Sequence, residues 1–264
     1  MKKILVFILV SWTSSIVAQS KFQKYFDSFA VKGSTTIYNY KSKEWIFTDI
    51  KDADVVTLPA STFKIPNSLI ALEYKAIQDE NEVFKWDGET KSHLGTVINA
   101  WNKDTDLKNA YKNSTVWLYV DVAKRVGRKT YQRTLKKLHY GNGNLTEKGI
   151  DFWNYGEFSI SPRNQIQFLI KLYEGNLPFS RSTINKVKEI MISEKTASHM
   201  YRDKTGWTRK NGIDIGWWVG YLETNDNVFF FATRLQKDEQ QENPNFPKAR
   251  REITKLILNE VMGQ

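Results

Sequence analysis

Lys204-Thr205-Gly206-Trp207-Thr208-Arg209-Lys210-Asn211-Gly212-Ile213-Asp214-Ile215-Gly216-Trp217-Trp218-Val219-Gly220-Tyr221-Leu222 is the stretch on which the fold turns. Two strand-like runs, Lys204 to Thr208 and Ile213 to Leu222, flank Asn211-Gly212. That dipeptide favours a tight hairpin because both of its residues accept positive φ. A third run, Val228 to Thr233, follows a turn at Thr224 to Asn227, so the late chain reads as an antiparallel meander. Near the other end, Thr35 to Tyr40 and Trp45 to Thr48 read as two more strands around a polar turn.

The middle, about residues 65–190, reads as mostly helical. Its clearest helix runs from Pro162 to Glu174, with Ser161 as cap, Pro162 at the first position and Gly175 at the stop. Ile166, Leu169, Ile170 and Tyr173 share one face of it. At the C-terminus Ile253, Leu256, Ile257 and Val261 make an apolar stripe that Gly263 ends. The expected fold class is therefore mixed α/β: an antiparallel sheet built from both chain ends and flanked by helices, plus a helical subdomain. Residues 21–264 read as one domain of two interleaved parts, with a cleft between them as the natural place for a ligand.

Composition narrows the chemistry. The 264 residues are 41% hydrophobic and 26% charged, an ordinary globular balance. There is no cysteine, which excludes disulfides, thiol catalysis and thiolate metal sites. His93, His139 and His199 lack metal-ligand spacing, so no metal site is expected. His139 sits among lysines and reads as a solvated surface residue. The net charge of +10 is spread and mixed with acids, which argues against a nucleic-acid partner and for a basic surface that attracts small anions. Lys2 and Lys3, the apolar run Ile4 to Trp12 and the small residues up to Ala18 have the layout of a secretory signal. Cleavage after Ala18 or after Ser20 both fit, and an uncleaved anchor is the competing reading. No later segment is apolar enough to serve as a membrane anchor.

The segment Leu58-Pro59-Ala60-Ser61-Thr62-Phe63-Lys64-Ile65-Pro66 carries the first chemical signal. A cap at Ser61 or Thr62 would put Pro66 among the first helical residues, where a missing N–H is tolerated. Ser61 and Lys64, three apart, would then share a helix face. A serine hydroxyl becomes nucleophilic when a base takes its proton, and a lysine can be that base when burial favours its neutral form. The pair alone also fits a capped helix with a surface lysine. Far downstream, Lys204-Thr205-Gly206 completes a pairing known from penicillin-recognising serine enzymes.

With these residues in place the chain resembles the class D β-lactamases. The ordered matches are Ser61-Thr62-Phe63-Lys64, Lys85-Trp86-Asp87-Gly88, Ser114-Thr115-Val116, Tyr140-Gly141-Asn142, Phe152-Trp153, Lys204-Thr205-Gly206 and Ile215-Gly216-Trp217-Trp218-Val219-Gly220. The resemblance implies Ser61 as the acylated nucleophile and Lys64 as the general base after reaction with carbon dioxide. It implies Trp153 as the indole that steadies that carbamate, and Ser114 as the proton donor to the departing lactam nitrogen. Val116 would wall the base. Lys204, Thr205 and Arg250 would hold the substrate carboxylate, with Arg251 as the competing assignment. Gly206 would allow close substrate approach, and the backbone N–H groups of Ser61 and Trp207 would form the oxyanion hole. Bicarbonate is the expected source of the carbamate, and no organic cofactor or metal is implied. The expected partner is a small-molecule β-lactam, the location periplasmic, and the assembly a monomer or homodimer. A β-lactam sensor or penicillin-binding domain that deacylates slowly is the alternative. Two departures stand out: Asn154 occupies a position that is apolar in the family, and Trp117 follows Val116 where proline is common.

Overall fold

The computed structural model describes residues 21–263. The signal read in residues 1–18 lies outside them. Residues 21–28 are helical (α1) and lead into β1 (Lys32–Asn39) and β2 (Glu44–Phe47). At the other end lie β5 (Ile192–Lys195), β6 (His199–Lys210), β7 (Ile213–Thr224) and β8 (Val228–Asp238), followed by α8 (Phe246–Met262). These six strands form one sheet, in the order β2-β1-β8-β7-β6-β5, with every neighbour antiparallel. Both chain ends build it, as expected.

The hairpin at Asn211-Gly212 is present. Lys210 pairs with Ile213, and the two turn residues take φ of 51° and 76°. β6 starts at His199 rather than at Lys204, because its polar first half has a second partner in β5. The sequence pattern there is not strand-like, and pairing on both sides supplies what propensity does not.

Alternation divides the sheet between two cores. Trp218, Leu222, Phe229, Phe231 and Leu235 face α8 and α1, meeting Phe246, Ala249, Ile253, Ile257 and Leu258. Trp217, Val219, Tyr221, Phe230 and Ala232 face the helices of the middle. The stripe of α8 runs through Leu258 rather than Leu256, which is 39% exposed. Its buried positions step 246, 249, 250, 253, 254, 257, 258, and Leu256 falls off their edge.

The middle contributes α2 (Lys64–Glu73), α3 (Leu107–Asn113), α4 (Val116–Val126), α5 (Arg128–Leu138), α6 (Pro162–Glu174) and α7 (Arg181–Ile190). α6 has the expected ends: Ser161 Oγ accepts from the Asn164 N–H at 3.2 Å, and Gly175 takes φ 74°. It buries more than one face, Phe168 and Leu172 as well as Ile166 and Leu169, because it lies between the sheet and the other helices. A small unexpected hairpin, β3 (Ser92–His93) with β4 (Thr96–Val97), stands apart from the main sheet.

Candidate active site

The nucleophile segment is placed by its neighbours on both sides. Thr57 bridges to Ile160, and the Ala60 N–H donates to the Trp153 carbonyl at 2.9 Å. Ala60 has φ 52°, a left-handed conformation that costs a residue with a Cβ on the order of 1 kcal/mol or more. A single 3-10 turn, Ala60–Phe63, then passes straight into α2. The cap expected at Ser61 or Thr62 is not formed. Thr62 Oγ1 donates instead to the Pro59 carbonyl at 2.7 Å and accepts from Gln165 Nε2 at 2.8 Å, while the 3-10 turn starts the helix. Pro66 is the third residue of α2.

This turn brings Lys64 Nζ to 3.0 Å from Ser61 Oγ. Lys64 is wholly enclosed, with Nζ 4.8 Å from the centroid of the Tyr119 ring. Burial pulls its pKa from 10.5 down to about 8, and only Asp151 pulls the other way. Asp151 is itself pushed up to about 6 by burial, although Asn154 Nδ2 donates to both of its oxygens at 3.0 and 2.9 Å. Asn154 therefore turns its amide to a half-buried acid, an interaction that an apolar residue could not make.

Trp153 is buried completely. Its ring stacks on Phe63 at 5.3 Å and meets Phe152 edge-on at 5.2 Å. Its indole Nε1 is buried with no hydrogen-bond partner among the described residues. An N–H left so costs about 1–3 kcal/mol. A planar anion on the end of Lys64 is the kind of acceptor that would recover it, and an enclosed neutral amine is the form that takes up carbon dioxide.

Ser114 closes α3 in a left-handed conformation, φ 57°, and Val116, half-buried, opens α4. Lys204 Nζ reaches across from β6 and donates to Ser114 Oγ at 2.5 Å and to the Thr205 carbonyl at 3.0 Å. Burial holds the Lys204 ammonium well below the usual range, and Lys64 and Arg250 add to the effect. The half-buried Thr205 alternates with Lys204 along the strand.

Gly206 lies against the nucleophile turn. A Cβ there would stand 3.0 Å from the Pro59 carbonyl, 3.1 Å from Ala60 Cβ and 3.2 Å from the Ser61 nitrogen. Those contacts are tighter than ordinary van der Waals spacing, so the missing side chain lets the β6 backbone lie close against the nucleophile turn. Trp207 alternates to the α8 face, with its ring 5.3 Å from Phe246. Of the two candidate arginines, Arg250 is buried and donates from Nη1 to the Gly206 carbonyl at 2.5 Å, with Nε unpartnered among the described residues. Arg251 is half-exposed and pairs with Asp203 at 3.3 Å. The geometry thus brings together Ser61, Lys64, Ser114, Trp153, Lys204, Gly206, Trp207 and Arg250, with Val116 and Thr205 at the margins.

Tyr140-Gly141-Asn142 is a supporting element. Tyr140 Oη donates to Gln165 Oε1 at 3.1 Å, and Gln165 in turn holds Thr62. Gly141, at φ 68°, admits Phe158 and the Ser159 carbonyl where a Cβ would stand. The residue that sequence reasoning missed is His93. It comes from the small hairpin, and its Nε2 lies 2.9 Å from the Trp207 carbonyl. A two-residue strand carries no pattern by which this reach could be read.

The chain matches the penicillin binding protein transpeptidase domain over residues 34–262. It is 35% identical to β-lactamase OXA-5 of Pseudomonas aeruginosa over 96% of this chain and 95% of that protein. Against β-lactamase OXA-48 of Klebsiella pneumoniae it is 38% identical over 80% and 78% of the two chains. The crystal structure of the class D β-lactamase from Sebaldella termitidis superposes with a TM-score of 0.85, at 42% identity, over 91% of this chain and 95% of that one. The chain belongs to the class D β-lactamases. The resemblance carried by the seven short motifs extends to the whole described fold, including the mixed α/β class. Among the described residues of this β-lactamase no helix is long and apolar enough to cross a membrane.

Proposed function

We propose that this class D β-lactamase opens the lactam ring of penicillin-type antibiotics through an acyl-enzyme on Ser61, with Lys64 as general base. The observation that carries the reading is the 3.0 Å contact between Lys64 Nζ and Ser61 Oγ inside an enclosed site. An ammonium would be a poor base there, and burial is what makes its neutral form accessible.

Lys64 takes the proton of Ser61 Oγ as the oxygen attacks the lactam carbonyl. The N–H groups of Ser61 and Trp207, brought close by the fit of Gly206, meet the developing oxyanion. Ser114 Oγ accepts from Lys204, which leaves the serine's own proton to go to the departing lactam nitrogen. Lys204 and Arg250, two buried cations, attract the substrate carboxylate at the Thr205 edge. Val116 keeps one side of the base apolar. Carbon dioxide bound to Lys64, with the Trp153 indole N–H as its donor, would supply a stronger carboxylate-type base for both halves of the reaction. The reading takes residues 21–264 as one catalytic domain, residues 1–18 as an export signal, and the periplasm as destination.

The test is hydrolysis of a chromogenic cephalosporin by the purified mature protein, with and without bicarbonate, beside Lys64→Ala. Multiple turnover that rises with bicarbonate and vanishes in the variant is expected. A single stoichiometric burst would overturn the hydrolase reading in favour of a sensor or penicillin-binding role.

A further inference from the structure

β6 is paired with β7 on one edge, while β5 ends opposite its first half. From Asp203 onward no strand among the described residues pairs with its other edge. A residue in an antiparallel strand sends its N–H and C=O to the same side. The Trp207 carbonyl lies on the free edge, because His93 Nε2 meets it there at 2.9 Å. The Trp207 N–H therefore opens onto that edge too.

A carbonyl offers no proton, so His93 must be the donor, with its hydrogen on Nε2. The imidazole is fixed from behind. It packs against Trp101 at 5.9 Å, and Trp101 Nε1 donates to the Asn113 carbonyl at 2.8 Å. Asn113 immediately precedes Ser114, whose φ of 57° needs such bracing. The Trp101 carbonyl also accepts from Trp117 Nε1 at 2.8 Å. Trp117, the unusual residue after Val116, thereby joins the same unit.

We propose that His93 is a positioning residue: it straps the β3–β4 hairpin to the Trp207 edge, and through Trp101 it ties the oxyanion strand to the Ser114 turn. Arg250 holds the Gly206 carbonyl on one side of the Trp207 peptide nitrogen, and His93 holds the Trp207 carbonyl on the other. The N–H between them is thereby kept pointing into the site before substrate arrives. A preorganised donor contributes to the transition state more than to substrate binding, so the strap acts on kcat. The inference rests on the reading of Ser61 as nucleophile and of the Trp207 N–H as an oxyanion donor.

The test uses the mature enzyme with a slim penicillin and compares His93→Phe, which keeps the packing on Trp101, with His93→Gln, whose amide can donate at similar reach. We expect kcat to fall three- to tenfold in His93→Phe with KM changed less than twofold, as for loss of one hydrogen bond of about 1 kcal/mol. His93→Gln should recover most of the loss, although both variants melt alike. Equal kcat in all three proteins would overturn the strap, as would a Gln variant no better than the Phe variant. Ser61→Ala and Lys64→Ala are run beside them. If those retain turnover, the reading of the active site fails; if they are dead while His93→Phe is unaffected, only the strap fails.

Discussion

Trp153→Phe separates two roles that the wild-type residue combines. The phenyl ring keeps the stack on Phe63, now 5.3 Å between centroids, and the edge contact with Phe152. It removes the indole N–H, which is buried without a partner among the described residues. Losing an unsatisfied donor returns about 1–3 kcal/mol. Trimming a buried indole to a phenyl costs about 1–2 kcal/mol, a fraction of what full truncation to alanine costs. In bicarbonate-free buffer the variant should therefore be about as stable as the wild type. In saturating bicarbonate the two part company. A hydrogen bond from the indole to a charged acceptor on Lys64 contributes about 1.5–3 kcal/mol to the wild type and nothing to the variant. For a chain of this size that is roughly 3 to 6 °C in Tm. The assay is differential scanning calorimetry at fixed pH with and without bicarbonate, with 13C NMR of labelled bicarbonate reporting the lysine adduct directly. Equal bicarbonate shifts in the two proteins would refute the assignment of the indole N–H, whatever happens to activity.

Lys64→Met tests the cost of the buried amine. A lysine held at about 8 when folded and at 10.5 when unfolded binds fewer protons folded, so stability rises as pH climbs between those values. Below pH 8 the buried charge costs roughly 3 kcal/mol; in bicarbonate-free buffer the methionine variant should melt higher at pH 7 and lose the rise, as urea unfolding across pH 7 to 10.5 will reveal. Asn154→Leu strips Asp151 of the amide that donates to both its oxygens, so its pKa should climb above about 6 and the bicarbonate concentration for half-maximal rate should shift about threefold or more. Superimposable bicarbonate curves would remove that link. Gly206→Ala puts a methyl 3.0–3.2 Å from Pro59 O, Ala60 Cβ and Ser61 N; kcat/KM should fall about tenfold or more with only about 1–3 kcal/mol of stability lost. Unchanged kinetics would mean that the turn can recede freely.

Much of the frame was readable because it follows from local rules. Asn211-Gly212 dictates a two-residue hairpin, and Ser161, Pro162 and Gly175 mark both ends of α6, whatever surrounds them. The start of β6 was not readable, since His199 to Asp203 becomes strand only when β5 lies beside it. Nor was the missing cap at Ser61: the sequence offers two good caps, but Thr62 donates to the nearby Pro59 carbonyl and accepts a tertiary bond from Gln165 instead. The candidate site divides the same way. Motif residues could be named in advance, but the seat of Gly206 on the nucleophile turn and the reach of His93 depend on which segments the fold stacks together.

The same division explains why this site looks poorly optimised when considered as part of a folded chain. Ala60 and Ser114 hold left-handed backbone, Lys64 and Lys204 are buried amines, and Trp153 Nε1 and Arg250 Nε lack partners among the described residues. Each is destabilising on its own and of a kind that substitution can relieve. They lie around the Ser61 turn, where an anion on Lys64 and a substrate carboxylate beside Lys204 and Arg250 would satisfy most of them at once. The free energy these features withhold would be released on binding and in the transition state, which is the direction catalysis requires. Substitutions that relieve these features singly should raise stability and lower turnover together, whereas a site that was merely badly packed would gain stability with no loss of rate.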